Sequence, residues 1–226
     1  MSVKENLKLV LEEIASAKSR RNSDEEVTLV AVTKNHGVDV MREAIDAGVR
    51  DIGENRVQEA EEKLKVLERY GVTKHLIGHL QTNKAKQAVK LFDVIHSVDS
   101  DHLALAIDKA AKSIGKVQNI LIQVNLANED TKFGVSRENL QSLIEKVEML
   151  ENLRLKGLML IAPNYADVEK CRPLFRSMRK IFDELKKNRQ GFDMLSMGMS
   201  HDYKIAVEEG ANIVRVGTAI FGERIY

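Results

Sequence analysis

Hydrophobic positions along this chain follow two alternating rhythms. Leu7, Val10, Leu11 and Ile14 recur on one helix face, so the chain opens with an amphipathic helix running to about Arg20. After the polar break Ser23-Asp24-Glu25-Glu26, Val27 to Val32 is short, apolar and β-branched, the pattern of a buried strand. Lys34 ends that stretch, just before the turn signal Asn35-His36-Gly37. Helical spacing returns at Val38, Met41, Ile45 and Val49, with Gly48 as a stop. Asp51-Ile52-Gly53 predicts a short strand, followed by Glu54-Asn55-Arg56 and a helix marked by Val57, Ala60, Leu64 and Leu67 that ends near Gly71.

The alternation continues to the end. His75 to Gly78 is strand-like and precedes a helix from Gln81 through Leu91. Val94 to Ser97 predicts a strand, and Leu103 to Ile114 a helix stopped by Gly115. Asn119 to Asn125 predicts a strand, Ala127 to Gly134 a polar loop, and Leu140 to Leu150 a helix. The strand from Leu153 to Ile161 is ended by Pro163 and followed by a long helix over Val168 to Lys187. Met194 to Met197 is a strand, Ser200 opens a helix to Glu209, and Asn212 to Val216 is the last strand before Gly217 to Gly222.

Strict strand–helix alternation implies parallel pairing with helices outside. Eight such units in 226 residues fit an α/β fold, a single-domain (β/α)8 TIM barrel. An open flavodoxin-like sheet would leave strands over. One domain over residues 1–226 is expected, with the helix at about 2–20 packed on the barrel.

Composition narrows the function. Charged residues nearly balance at net +1, which leaves no field to draw the chain to nucleic acid or a membrane surface. Lys84, Lys86 and Lys90 fit the solvated face of a helix, and at 4% aromatics the chain lacks stacking platforms for bases. The single cysteine, Cys171, excludes an intrachain disulfide framework. The amino-terminal residues lack a signal-peptide core and no stretch is long and apolar enough to span a bilayer, so a cytoplasmic protein is expected. His75 and His79 are four apart, but Ile77-Gly78 between them reads as strand and loop, and no cysteine or carboxylate nearby completes a site, so no metal is expected.

In such barrels chemistry sits at the carboxyl ends of strands, and a phosphate is often held after the seventh and eighth. Lys34 then ends the first strand, Glu54 and Asn55 the second, and His79 and Gln81 follow the third. Asn125 ends the fifth, Met159 lies near the end of the sixth, Ser200 follows the seventh, and Arg215, Gly217 and Thr218 end the eighth. A lysine held in a cavity above the sheet loses its charge more readily, and its neutral amine condenses with an aldehyde. In Ser196-Met197-Gly198-Met199-Ser200 and Arg215-Val216-Gly217-Thr218, glycines permit a close backbone path and a hydroxyl joins backbone amides, the makings of a phosphate cradle. Ser200 alone reads as a plain helix cap and Gly217 alone as a turn; their joint position carries the signal. Aldehyde-reactive lysine plus phosphate cradle suggests pyridoxal phosphate. An arginine facing the pyridine nitrogen can only donate, leaving that ring neutral and a weak electron sink. The sequence leaves open whether Arg215 points inward.

Several segments together resemble the pyridoxal phosphate homeostasis protein family, single-domain barrels similar to the N-terminal domain of alanine racemase. They are Ala31-Val32-Thr33-Lys34, Gly53-Glu54-Asn55-Arg56-Val57-Gln58-Glu59, the run from His75 to Lys84, Gly157-Leu158-Met159, the run from Leu195 to Ser200, and the run from Val214 to Gly222. The match runs in order from about Leu29 to Gly222. The resemblance implies pyridoxal 5'-phosphate held covalently on Lys34 as an internal aldimine. It implies that Ser200, Gly217 and Thr218 bind the phosphate, that Arg215 faces the pyridine nitrogen, and that Asn55 and Met199 lie beside the cofactor. It also implies buffering of the cofactor, with related B6 vitamers as possible ligands, and delivery to apo pyridoxal phosphate enzymes, with no established catalytic turnover. Thr33 stands where a serine is common in the family, and Lys74 where an aromatic residue is common.

The alternative is a racemase-like enzyme. Racemisation needs a base on each face of the substrate's α-carbon, and alanine racemase supplies the second as a tyrosine from a further domain. Here the chain ends at Tyr226 directly after the barrel; His36, His79, His201 and Tyr203 are the candidate substitutes near the rim. Lys63, Lys65, Lys84 and Lys86 mark a possible weaker second site.

Overall fold

The β-branched runs pair in the order in which they occur. A computed structural model describes residues 2–21, 23–127 and 133–222. Its strands are β1 (Thr28–Val32), β2 (Asp51–Glu54), β3 (Thr73–Leu76), β4 (Val94–Val98), β5 (Gln118–Asn125), β6 (Val135–Ser136), β7 (Leu153–Leu160), β8 (Met194–Met199) and β9 (Ile213–Val216). All but β6 form one closed parallel ring, sealed by the pairing of β9 with β1 and of β4 with β5. Closure covers both faces of every strand, which explains why β4 and β9 are buried along their whole length.

Helices α1 (Val3–Arg20), α2 (Val38–Asp46), α3 (Val57–Leu67), α4 (Ala85–Leu91), α5 (Asp101–Lys112), α6 (Leu140–Glu148), α7 (Arg172–Lys186), α8 (Tyr203–Glu208) and the single turn α9 (Thr218–Phe221) surround the ring. Ser2 and Glu5 form a reciprocal capping box that starts α1. The apolar stripe of α1, Leu7, Val10, Ile14 and Ala17, is buried, and the helix lies against α2, α8 and α9. Among the described residues, no helix is long and apolar enough to cross a membrane.

Three details depart from expectation. The strand expected at His75 begins at Thr73, because backbone bonds from Thr73 N–H to Arg50 O and from Asp93 N–H to Lys74 O, both 2.8 Å, carry these polar residues into the ring. The polar loop at Ala127 to Gly134, part of which lies outside the described residues, is followed by β6, which extends the ladder on β5 beyond the end of β4. Ser200 does not open the next helix. That helix starts at Tyr203, preceded by Asp202, whose carboxylate accepts from the Met199 N–H at 2.6 Å.

Two unlike interiors result. Between strands and helices lies a continuous apolar layer in which Phe175, Phe182, Phe192 and Leu195 are buried. Inside the ring the buried apolar cluster is small, Val94, Leu121 and Met159. The polar side chains of His75, His96, Ser196 and Arg215 are buried there with it. His96 on β4 bonds to Ser196 on β8, strands that are not neighbours in the ring, so their contact crosses the barrel.

Candidate functional site

The end of β1 is held by local chemistry. Asn35 adopts a left-handed φ of 62°, a conformation asparagine tolerates better than most residues. The tight turn closes with His36 N–H donating to Thr33 O at 3.1 Å. Behind it, the Thr33 hydroxyl donates to Glu54 Oε1 at 2.7 Å, and Asn35 N–H donates to the Glu59 carboxylate. Lys63 Nζ reaches Glu59 at 2.6 Å, Glu54 at 3.4 Å and Thr33 O at 3.3 Å. Burial pushes the Glu54 carboxyl up, against the Thr33 hydrogen bond and the Lys63 charge. This cluster anchors the segment from which half-buried Lys34 projects. A serine at 33 would keep the same hydroxyl.

Above the ring, between the ends of β1, β2, β8 and β9 and the segment after β7, lies a cavity of about 390 Å³. Lys34, Asn55, Met199, Ser200, Arg215, Gly217 and Thr218 all line it. At the end of β8, Gly198 has φ +94°, and a Cβ there would stand 2.6 Å from Ala206 Cβ, so glycine makes the turn that presents Met199 and Ser200. The Ser200 hydroxyl oxygen accepts from Gly217 N–H at 3.1 Å and Ala219 N–H at 3.5 Å, drawing the ends of β8 and β9 together. Arg215 is buried and does point inward: it lines the cavity and donates through Nη1 to Ser196 Oγ at 2.6 Å and through Nη2 to Leu160 O at 2.9 Å. Burial pulls its guanidinium down to about 10, opposed by the charge of Asp202, so it is still a cation at neutral pH.

Other expected rim residues fall elsewhere. Glu54 sits behind the wall with Lys63, and Met159 lies in the small apolar cluster inside the barrel. Asn125 pairs with Ser136 in the β5–β6 ladder. His79 and Gln81 line a neighbouring hollow with Arg56 and Lys84, and the His79 ring stacks on Phe133 at 3.7 Å. His75 instead lies inside the barrel, bonded to Asp51 and His96, so the two histidines face different surroundings. Among the described residues, no cluster of three or more histidine, cysteine or carboxylate side chains is disposed to hold a metal. Of the candidate second bases, His36 and His201 line the cavity, while Tyr203 is buried away from it with its hydroxyl donating to Glu13 on α1. His201 Nε2 is bonded to Tyr165 O at 2.9 Å. Of the four lysines of the possible weaker second site, Lys63 and Lys65 are paired with carboxylates of their own helix and its base, and Lys84 lines the hollow beside His79.

Sequence patterns overlooked Asp202, a buried carboxyl that lines the cavity and is pushed up chiefly by its burial. They also overlooked the segment Ile161 to Asn164, which closes one side. Pro163 at a strand end was the available signal for that segment.

The residues suit a small anionic aldehyde. An amine, a buried guanidinium and a hydroxyl flanked by backbone amides share one cavity of the size that small ligands occupy. At Gly217 a Cβ would approach Val32 Cβ and O at 3.3 Å, so the backbone there comes close to the wall in a way side chains would crowd.

Known proteins are similar to this chain over nearly its whole length. The family model for the alanine racemase N-terminal domain matches residues 6–225. The pyridoxal phosphate homeostasis protein of Aquifex aeolicus is 43% identical over 100% of both chains. Its namesake in Escherichia coli is 38% identical over 98% of this chain and 96% of its own. PipY of Synechococcus elongatus, whose structure was solved with PLP bound, is 39% identical, superposes with a TM-score of 0.84, and covers 98% of this chain and 100% of its own. With matches at this identity over nearly the full length of both chains, the chain belongs to the pyridoxal phosphate homeostasis protein family.

Proposed function

We propose that this chain binds pyridoxal 5'-phosphate in the cavity above the barrel, attached covalently through the Lys34 amine, and acts in the cytoplasm as one domain that buffers the cofactor. Ser200, Gly217 and Thr218 hold the phosphate, Arg215 donates to the pyridine nitrogen, and Asn55 and Met199 flank the ring. The observation that carries this is convergence: all seven residues, drawn from four strand ends, line one cavity. The names of the relatives and the PLP found in PipY support the ligand.

When bound, the cofactor supplies an aldehyde carbon that exchanges between amines. Lys34 competes for that carbon, the hydroxyl and amides at the ends of β8 and β9 bind the phosphate, and Arg215, a cation at neutral pH, keeps the ring nitrogen unprotonated. Such a site retains the cofactor without driving strong carbanion chemistry. Met199, 38% exposed, forms part of an open rim, which suits release to apo pyridoxal phosphate enzymes and entry of related B6 vitamers.

The near-visible absorption of the loaded protein, before and after borohydride, tests attachment. The expected result is a band that disappears on reduction, with the cofactor mass fixed on Lys34; no band at saturating cofactor sinks the proposal. Reactivation of an apo-enzyme faster than the free-cofactor control is expected for a carrier. The racemase-like alternative is kept in play by His36 and His201 at the cavity wall, and loss of α-deuterium from an amino acid would establish it.

A further inference from the structure

The barrel interior contains a continuous line of hydrogen bonds from Arg215 to the far end of β2. Arg215 Nη1 donates to Ser196 Oγ at 2.6 Å; Ser196 Oγ lies 3.0 Å from His96 Nδ1. His96 Nε2 lies 2.9 Å from His75 Nδ1, and His75 Nε2 lies 3.0 Å from Asp51 Oδ1. Arg215, Ser196, His96 and His75 are at most 3% exposed, and Asp51 opens partly to solvent at the start of β2, away from the cavity.

Both ends of this line dictate the same sense. A guanidinium can only donate, so Ser196 Oγ accepts from Arg215 and its own hydrogen goes to His96 Nδ1. A carboxylate can only accept, so His75 Nε2 carries a hydrogen and, in a neutral ring, Nδ1 is bare. The remaining link, His96 Nε2–H to His75 Nδ1, then satisfies both rings at once. Every donor points away from Arg215 and no link is mismatched. The opposite sense would leave a second cation on His75 inside the barrel and turn Ser196's hydrogen away from its one ring acceptor. Burial above all, with the Arg215 charge, pushes His96 well below the ordinary histidine range, which agrees with a neutral ring.

The structure assigns Ser196, His96, His75 and Asp51 as positioning residues that hold Arg215 and carry the Asp51 charge to it through aligned hydrogen bonds. Aligned bonds among buried groups polarise one another, so a carboxylate at one end strengthens acceptance at the other. Nη1 is fixed by this line and Nη2 by Leu160 O, which locks the guanidinium plane that faces the cavity. The predicted effect on the cofactor rests on the function proposed above; the hydrogen-bond line itself does not.

Long-range proton–nitrogen correlation NMR on cofactor-free protein with labelled histidines tests the line directly. His75 and His96 are both expected as neutral Nε2–H tautomers; a hydrogen on Nδ1 of either ring overturns the assignment. The second arm is cofactor titration of Ser196→Ala, Ser196→Thr and Asp51→Asn. Ser196→Ala is expected to raise the half-loading concentration roughly tenfold, the size of one lost charge-assisted hydrogen bond, and to move the band maximum. Ser196→Thr keeps the hydroxyl and restores both. Asp51→Asn keeps an acceptor for His75 but removes the charge, and is expected to weaken loading about threefold with its shape unchanged. Wild-type loading and spectrum in Asp51→Asn, with the expected tautomers present, would show that no charge is carried. Should Ser196→Ala not fold, Asp51→Asn and the tautomers decide the matter. Should wild-type protein form no borohydride-sensitive band, the proposed function fails and the tautomers alone still judge the line.

Discussion

The two interiors of this molecule obey opposite rules. The layer between strands and helices is apolar and close-packed, with Phe175 and Phe182 wholly buried. The inside of the barrel holds a small buried apolar cluster, Val94, Leu121 and Met159, with buried Val30 and Ile77 near Gly53, and buries a cation, a hydroxyl and two imidazoles beside them. Apolar contacts are non-directional, so the outer layer stabilises the ring whatever it encloses. Buried polar groups are tolerated only when paired, so the inner layer fixes orientation instead. Stability and site geometry are thus assigned to different faces of the same strands.

Substitutions break that comparison in order of size. Lys34→Ala should abolish cofactor fixed by borohydride while leaving urea stability within about 0.5 kcal/mol, since the residue is half-buried and outside the packed layer. Phe182→Ala should do the reverse: a loss of about 3–5 kcal/mol in urea unfolding, with cofactor loading per folded molecule unchanged. A fall in loading in that variant would show that the outer layer also sets the cavity. Ser200→Ala removes one hydroxyl from the joint between β8 and β9 and should weaken cofactor retention by about 1 kcal/mol, read from the half-loading concentration.

The smallest effects concern pH and differ in sign. Glu13, outside the barrel, is held below its ordinary 4.5 chiefly by the Tyr203 hydroxyl. Its contribution is present above that value and is lost as pH falls through the depressed one. Because the carboxyl is largely exposed, Glu13→Gln should narrow the acid loss by less than about 1 kcal/mol. Glu54, buried behind Lys34, is raised from 4.5 by desolvation. Its contribution is present below 4.5 and is lost as pH rises through the raised value. Stability of Glu54→Gln relative to the parent should therefore improve as pH rises above 4.5, a trend opposite to that of Glu13→Gln. Equal slopes in urea titrations, read below pH 4.5 for Glu13→Gln and above it for Glu54→Gln, would refute the distinction.

Much of this was readable along the chain. Alternating periods of two kinds mark the barrel's elements, because each strand and helix must bury its own apolar side locally. Lys34 and the Ser200 and Gly217 segments stand out because they end strands with residues that cost stability unless used. The failures share a cause. Met159 and Glu54 sit near strand ends as expected, yet the period of two sends Met159 into the barrel cluster and Glu54 behind the wall. Tyr203 follows Ser200 closely, but α8 turns its hydroxyl to Glu13, 190 positions away in the chain.

By itself the sequence determined the order and kind of most elements and the rim positions of Lys34, Asn55, Ser200, Arg215, Gly217 and Thr218. These follow from local propensity and burial pattern, which each segment expresses with its neighbours. Only the tertiary structure decided that Arg215 points inward, that Asp202 joins the cavity, and that His75 and His96 link Arg215 to Asp51 across the barrel. Those contacts join residues of different strands, and their partners are chosen by closure of the ring, since a buried donor must pair with whatever acceptor the far wall brings within about 3 Å.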